Sequence, residues 1–210
     1  LSQVAQSANY GGLIYAIAVD DSYIYVGGRT TQTVKKLRKS DLSQVAQSAN
    51  YGGTIRAIAV DDSYIYVGWG QTVYKLNKSN LSQVATSASY GGGIYAIAVD
   101  DNSVYVGGDT TQTVQKLNKT NLSQVAESAD YGGYINTIAV DDNYVYVGGY
   151  ANRTVKKLNK SNLSQVATSA SYNGDIEAIA VDDNSVYVGG ATQTVWRLGG
   201  IHIKELIRVV

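Results

Sequence analysis

Apolar and polar residues fall in one pattern that is written five times along the chain. In its first full copy, Ile14-Tyr-Ala-Ile-Ala-Val19 is a short continuous apolar run between Gly11-Gly12 and Asp20-Asp21. A run of that length between turn residues predicts a strand covered on both faces. Tyr23-Ile-Tyr-Val26 follows and stops at Gly27-Gly28. The Asp and Ser side chains of Asp20-Asp21-Ser22 can bond to their own backbone, so the two runs predict a hairpin. Thr33-Val-Lys-Lys-Leu37 predicts a third, more polar strand. Beyond the turn Lys39-Ser-Asp41, Leu42-Ser-Gln-Val-Ala-Gln-Ser48 predicts a fourth and most polar one. This gradient places the first strand at the centre of the molecule and the fourth at its rim.

Leu-Ser-Gln-Val-Ala opens at Leu1, Leu42, Leu81, Leu122 and Leu163, spacings of 41, 39, 41 and 41 residues. Ile-Ala-Val-Asp-Asp recurs from Ile17, Ile58, Ile97, Ile138 and Ile179. A period near forty marks a supersecondary unit that buries its apolar faces by stacking on copies of itself. Four strands in a unit of that length resemble the WD-repeat and quinoprotein-like β-propeller families. The resemblance is carried by Ile14 to Val19, Tyr25-Val26-Gly27-Gly28, Thr33 to Leu37 and their counterparts, over roughly residues 1–198.

The resemblance implies an all-β fold, a single five-bladed β-propeller with four antiparallel strands per blade. The chain begins within a fourth strand (Leu1 to Asn9) and its fifth copy stops after a third (Thr194 to Leu198), so the N-terminal strand is expected to complete the fifth blade and close the ring. The Trp-Asp dipeptide of WD repeats is missing, as is the acidic, Asn and Arg constellation of a quinone site. No enzyme activity and no cofactor are therefore carried over.

The copies differ at a few positions, and those positions cluster. The residue after the Gly pair reads Leu13, Thr54, Gly93, Tyr134, Asp175. Two residues further it reads Tyr15, Arg56, Tyr95, Asn136, Glu177. After the second strand the loops carry Arg29, Trp69-Gly70, Asp109, Tyr150 and Ala191, and early in the third strand stand Lys35, Tyr74, Gln115, Lys156 and Trp196. Antiparallel strands bring these positions to one face, whereas the Asp-Asp and Asn-Lys-Ser-Asn turns on the opposite face vary little. Leu13, Tyr15, Arg29, Arg56, Trp69, Tyr95, Asp109, Tyr134, Asn136, Tyr150, Asp175, Glu177 and Trp196 are therefore candidate residues for binding a protein or glycan. Exposed loops that simply tolerate change give the same pattern.

A second reading uses constant residues. Tyr10, Tyr51, Tyr90, Tyr131 and Tyr172 precede the Gly corner in every copy and could stack on sugars as a five-site lectin; such a Tyr more often packs between units with its hydroxyl bonded locally. A structural or engineered repeat scaffold without a ligand is a third reading. The Asp pairs do not suit calcium, because adjacent side chains in a strand point to opposite faces and a calcium loop needs six or more oxygens. His202 is the only histidine and has no metal or nucleophile pattern around it. The Gly-Gly pairs lack the strand-to-helix setting of a phosphate loop.

With 17 basic and 17 acidic residues the formal charge is zero, which gives no support to a nucleic-acid or anionic-membrane surface. The chain has no Cys, so disulfide and thiolate chemistry are excluded. No apolar run approaches the ~20 residues of a membrane span. The last residues, 199–210, break the repeat. Ile203, Leu206, Ile207 and Val210 fit one helix face, Ile201, Ile203, Ile207 and Val209 one strand face. An apolar tail of this kind suggests packing on the rim or homo-oligomer formation through residues 201–210.

Overall fold

The computed structural model describes residues 2–199. The chain is an all-β repeat protein of five separate antiparallel sheets. Sheet I holds β1 (Ile14–Val19), β2 (Tyr23–Gly28), β3 (Lys35–Arg38) and β4 (Gln44–Gln47). Sheet II holds β5 (Ile55–Val60), β6 (Tyr64–Trp69), β7 (Thr72–Asn77) and β8 (Gln83–Thr86). Sheet III holds β9 (Ile94–Val99), β10 (Ser103–Gly108), β11 (Gln115–Asn118) and β12 (Gln124–Glu127). Sheet IV holds β13 (Ile135–Val140), β14 (Tyr144–Gly149), β15 (Lys156–Asn159) and β16 (Gln165–Thr168), and sheet V, among the described residues, β17 (Ile176–Val181), β18 (Ser185–Gly190) and β19 (Trp196–Gly199). Within each sheet the strands pair in chain order.

The hairpin chemistry is as the sequence suggests. Asp20 Oδ1 accepts from the backbone N–H of Ser22 at 2.8 Å and of Tyr23 at 2.7 Å, and Asp61, Asp100, Asp141 and Asp182 repeat the arrangement. The Gly corner needs a left-handed backbone. Gly11, Gly52, Gly91 and Gly132 have φ between 79° and 95°, and in the fifth copy Asn173 keeps the conformation at 63°, which Asn tolerates better than other side chains.

Each sheet packs on its sequence neighbours through the first strands, β1 on β5, β5 on β9, β9 on β13 and β13 on β17. The contact works because Gly leaves room for Ile. A Cβ on Gly27 would lie 2.6 Å from Ile55 Cγ2, and Gly68 with Ile94, Gly107 with Ile135 and Gly148 with Ile176 are alike to within 0.1 Å. Ile55, Ile94, Ile135 and Ile176 are accordingly at most 2% exposed. Around each joint forms a core. Between sheets I and II it contains Tyr25, Val34, Ile55, Ile65, Val67, Leu76 and Leu81. Leu81 opens the fourth strand of its own sheet and reaches back to its predecessor, and Leu122 and Leu163 do the same in the next two cores. Burying an Ile or Leu of this kind contributes about 1.5–3 kcal/mol.

The expected closure is not found: the chain is not a single closed five-bladed propeller. Among the described residues sheet V has three strands rather than four and Ser2–Asn9 forms no strand, with Val4 95% exposed. Closure would seat Ile14 on Gly189, but Ile14 is 46% exposed and none of the described atoms lies within 4 Å of a Cβ placed on Gly189. Among the described residues, strands pair with strands adjacent in the sequence, and the joints lie between successive sheets. Closing the ring would instead bring together segments almost a whole chain apart. The apolar tail, residues 201–210, and His202 lie outside the described residues.

Candidate functional site

The variable face is organised by a β-bulge that recurs in all five sheets. In sheet I, Ile14 pairs with Gly28 and Ala16 with Gly27, so Tyr15 is the extra residue. Arg56, Tyr95, Asn136 and Glu177 are the extra residues of β5, β9, β13 and β17. A bulge breaks the alternation of the strand and re-aims its side chain. Here it turns the most varied residue of each first strand away from the inter-sheet core, while the Ile on its N-terminal side stays available for packing.

Because the first strands lie side by side, four bulge residues meet. Tyr15, Arg56, Tyr95 and Asn136 line one groove of about 210 Å³, floored by Ile17, Ile58, Ile97 and Ile138. The Arg56 guanidinium lies 5.4 Å from the Tyr15 ring centre and 4.9 Å from that of Tyr95, a cation between two aromatic faces. Among the described residues no carboxylate forms an ion pair with Arg56. Tyr95 in turn donates to Asp109 Oδ2 at 3.0 Å, and the Gly93 N–H donates to Asp109 Oδ1 at 2.6 Å. Burial pushes the Asp109 carboxyl up, but hydrogen bonds from Thr110, Tyr95 and Gly93 outweigh it and hold the group ionised below the usual carboxylate range. Asn136 Nδ2 donates to Glu177 Oε2 at 3.2 Å, which ties the fifth bulge residue to the groove.

The remaining candidates lie outside this groove. Trp69 packs with Tyr51 and Tyr74 at centroid distances of 6.3 and 5.7 Å. Tyr134 stacks on Tyr150 at 6.0 Å, with both rings about half exposed. Asp175 faces Arg153 at 3.8 Å and accepts from the Ala151 N–H. Leu13 and Arg29 are exposed without entering the groove. Trp196 is a packing residue, edge-on to Tyr172 at 5.1 Å within the core between sheets IV and V.

The constant tyrosines have another occupation. Tyr10, Tyr90, Tyr131 and Tyr172 are at most 6% exposed. Their hydroxyls donate to the backbone carbonyls of Thr33, Thr113, Thr154 and Thr194. Tyr51 is half-buried against Trp69 and Tyr74. These rings hold the Gly corner to the third strand.

On the opposite face the Asp turns do more than close hairpins. Asp20 Oδ2 accepts from the Tyr25 hydroxyl at 2.9 Å and from Lys78 Nζ of the next sheet at 2.9 Å. Asp61 with Lys119 and Asp100 with Lys160 repeat the inter-sheet pair at 3.0 Å. A cavity of about 530 Å³ between sheets I and II opens on this side, but Asp20 and Lys78 that line it already satisfy one another. The signal was present in the sequence as the fixed Asp of every copy and the Lys of the first four; only the register of the sheets shows that they meet across the joint. Among the described residues no group of three or more His, Cys, Asp or Glu side chains could hold a metal ion, and no helix is long and apolar enough to cross a membrane.

No family model and no curated protein sequence matches this chain. Among solved structures it is similar to the computationally designed Ika8 protein, with a TM-score of 0.80 over 93% of this chain and 61% of that one, at 17% identity. The chain thus spans about three-fifths of that protein's length, and a likeness at this identity bears on the fold alone.

Proposed function

We propose that the chain is a non-enzymatic binding module whose variable face takes a carboxylate-bearing partner, on a protein or a glycan. The observation that carries this reading is the position of Arg56, exposed in a groove between the rings of Tyr15 and Tyr95 and without an ion-pair partner among the described residues. A guanidinium so placed presents its donors to a planar anion, while the rings supply apolar contact on either side. Asn136 adds a polar amide at the same groove. The backbone beneath is the same in each sheet, so the varied residues change recognition without changing the scaffold.

The test is a panel of acidic and neutral oligosaccharides and of acidic and neutral peptides, measured against the native chain and Arg56→Ala by calorimetry. Binding confined to acidic ligands, and weakened at least tenfold by R56A, is the expected result. Binding indifferent to ligand charge or to R56A overturns the reading.

A further inference from the structure

The two ends of the array are complementary in four independent respects. Sheet V presents the Gly side of a joint, with open space around Gly189 and with Ala178 exposed where Ala16, Ala57 and Ala96 are buried. Sheet I presents the Ile side, with Ile14 46%, Ile17 60% and Val19 49% exposed. These are the halves of a contact that forms four times within the chain.

The strand edges match as well. In sheet IV, β15 and β16 pair Lys156 with Thr168, Lys157 with Ala167 and Leu158 with Gln165. Among the described residues β19 has no such partner, while Ser2–Asn9 carries the fourth-strand sequence and is solvent-exposed over most of its length. Between sheets IV and V lies a cavity of about 380 Å³ lined by Tyr146, Lys157, Ala167, Val186 and Leu198. The corresponding space one joint earlier is filled by Leu163 and Gln165 down to about 20 Å³. In the repeat, the position of Leu163 after the fifth copy is that of Leu1. The charges agree too. Lys78, Lys119 and Lys160 each reach the Asp of the preceding sheet, Lys39 begins that series and Asp182 ends it.

We propose that the chain associates head to tail with a second copy of itself, sheet I of the second copy seating on sheet V of the first. The N-terminal segment of the second copy pairs with β19, with Gln6 opposite Trp196, Ala5 opposite Arg197 and Gln3 opposite Leu198. Ile14 of the second copy enters the space at Gly189, and its Lys39 meets Asp182. The occupant is a copy of this chain because every feature required at the joint is one the chain already uses between its own sheets. Such a contact is heterologous, so it closes into a ring or extends according to the rotation per copy.

Two single-cysteine chains, Ile14→Cys and Gly189→Cys, test this directly, since the native sequence contains no Cys. Mixed and oxidised, they are expected to give a covalent product containing one chain of each kind. Sedimentation of the native chain across concentrations is expected to show association that is lost on deleting residues 1–9 and kept on deleting residues 201–210. Gly189→Trp, whose Cβ has none of the described atoms within 4 Å in the isolated chain, is expected to abolish association while leaving the dilute chain folded. A monomer at every concentration, a mixed sample without the cross-linked product, or association that depends on residues 201–210 alone would overturn the proposal.

Discussion

Lys78 Nζ lies 2.9 Å from Asp20 Oδ2, and the two residues belong to different sheets. The carboxylate that closes one hairpin therefore also fastens the next unit. Ser22, Tyr23, Tyr25 and Lys78 all donate to the same side chain, and that convergence outweighs its partial burial.

This linkage predicts acid sensitivity. Burial tends to raise the carboxyls of Asp20, Asp61 and Asp100, but in each case the Lys of the next sheet and the turn hydrogen bonds prevail and hold the group below its ordinary range. A depressed folded-state pKa adds stability that is complete above the unfolded carboxylate value of about 4 and is lost as pH falls through the folded-state value. Melting temperature should therefore hold level from pH 7 to about 5 and fall below ~4. Asp61→Asn should lower stability by about 1–3 kcal/mol at pH 7 and flatten the acid limb. Thermal melts as a function of pH check both, and an unaltered acid limb in the variant would count against the linkage.

Glycine 68 is predicted to be intolerant of a side chain and glycine 189 tolerant. A Cβ on Gly68 meets Ile94 Cγ2 at 2.6 Å, which makes Gly68→Ala an overpacking substitution costing about 1–3 kcal/mol. Gly189→Ala meets nothing and should change the stability of the dilute chain by no more than about 0.5 kcal/mol. Urea denaturation of the two variants at the same low concentration gives the comparison.

Leu122 should be a costly residue to truncate despite its place in a turn. It has a φ of 61°, unusual for a leucine, and its side chain is 1% exposed in the core between sheets II and III. Leu122→Ala keeps the backbone demand and opens a void, for an expected loss of about 2–5 kcal/mol. Leu122→Gly would relieve the dihedral but not the void. Finding glycine more stable than alanine here would show that conformational strain is a large part of the leucine's cost.

Tyr131→Phe isolates the corner hydroxyl. Its bond to the Thr154 carbonyl is 2.6 Å long within a buried site, so its removal should cost about 0.5–1.5 kcal/mol. The same substitution should leave binding at the Arg56 groove unchanged, because Tyr131 does not line it. A loss of ligand affinity in this variant would reopen the reading of the constant tyrosines as the binding residues.

Much of the local structure was legible in the chain. The apolar run Ile14–Val19 is β1 to the residue, and the Asp turns form the hairpins expected of them. The second strand continues through Gly27-Gly28 because Gly27 faces Ile55 of the next sheet, Gly28 lies against the Leu13 backbone, and both pair with β1, contacts invisible along one copy. The bulge at Tyr15 was visible only as variation between copies; that the variation marks an unpaired strand residue follows from the register. That the ring stays open was not legible at all. Leu1–Asn9 and Leu42–Asn50 are the same nine residues, yet Gln44–Gln47 is a strand and Gln3–Gln6 is not. Strand propensity is equal in the two segments. What differs is the neighbour: the Lys39–Asp41 turn delivers Gln44–Gln47 to the edge of β3, whereas Ser2–Asn9 pairs with no sheet edge among the described residues.

Amide hydrogen exchange at Ala5 and Ser7, compared with Ala46 and Ser48, tests the open serial array most directly. In dilute solution the first pair should exchange without protection while the second is protected by its ladder with β3. Equal protection of both pairs at concentrations where the chain sediments as a monomer would mean that the first nine residues join the fifth sheet of their own chain, and would contradict the account.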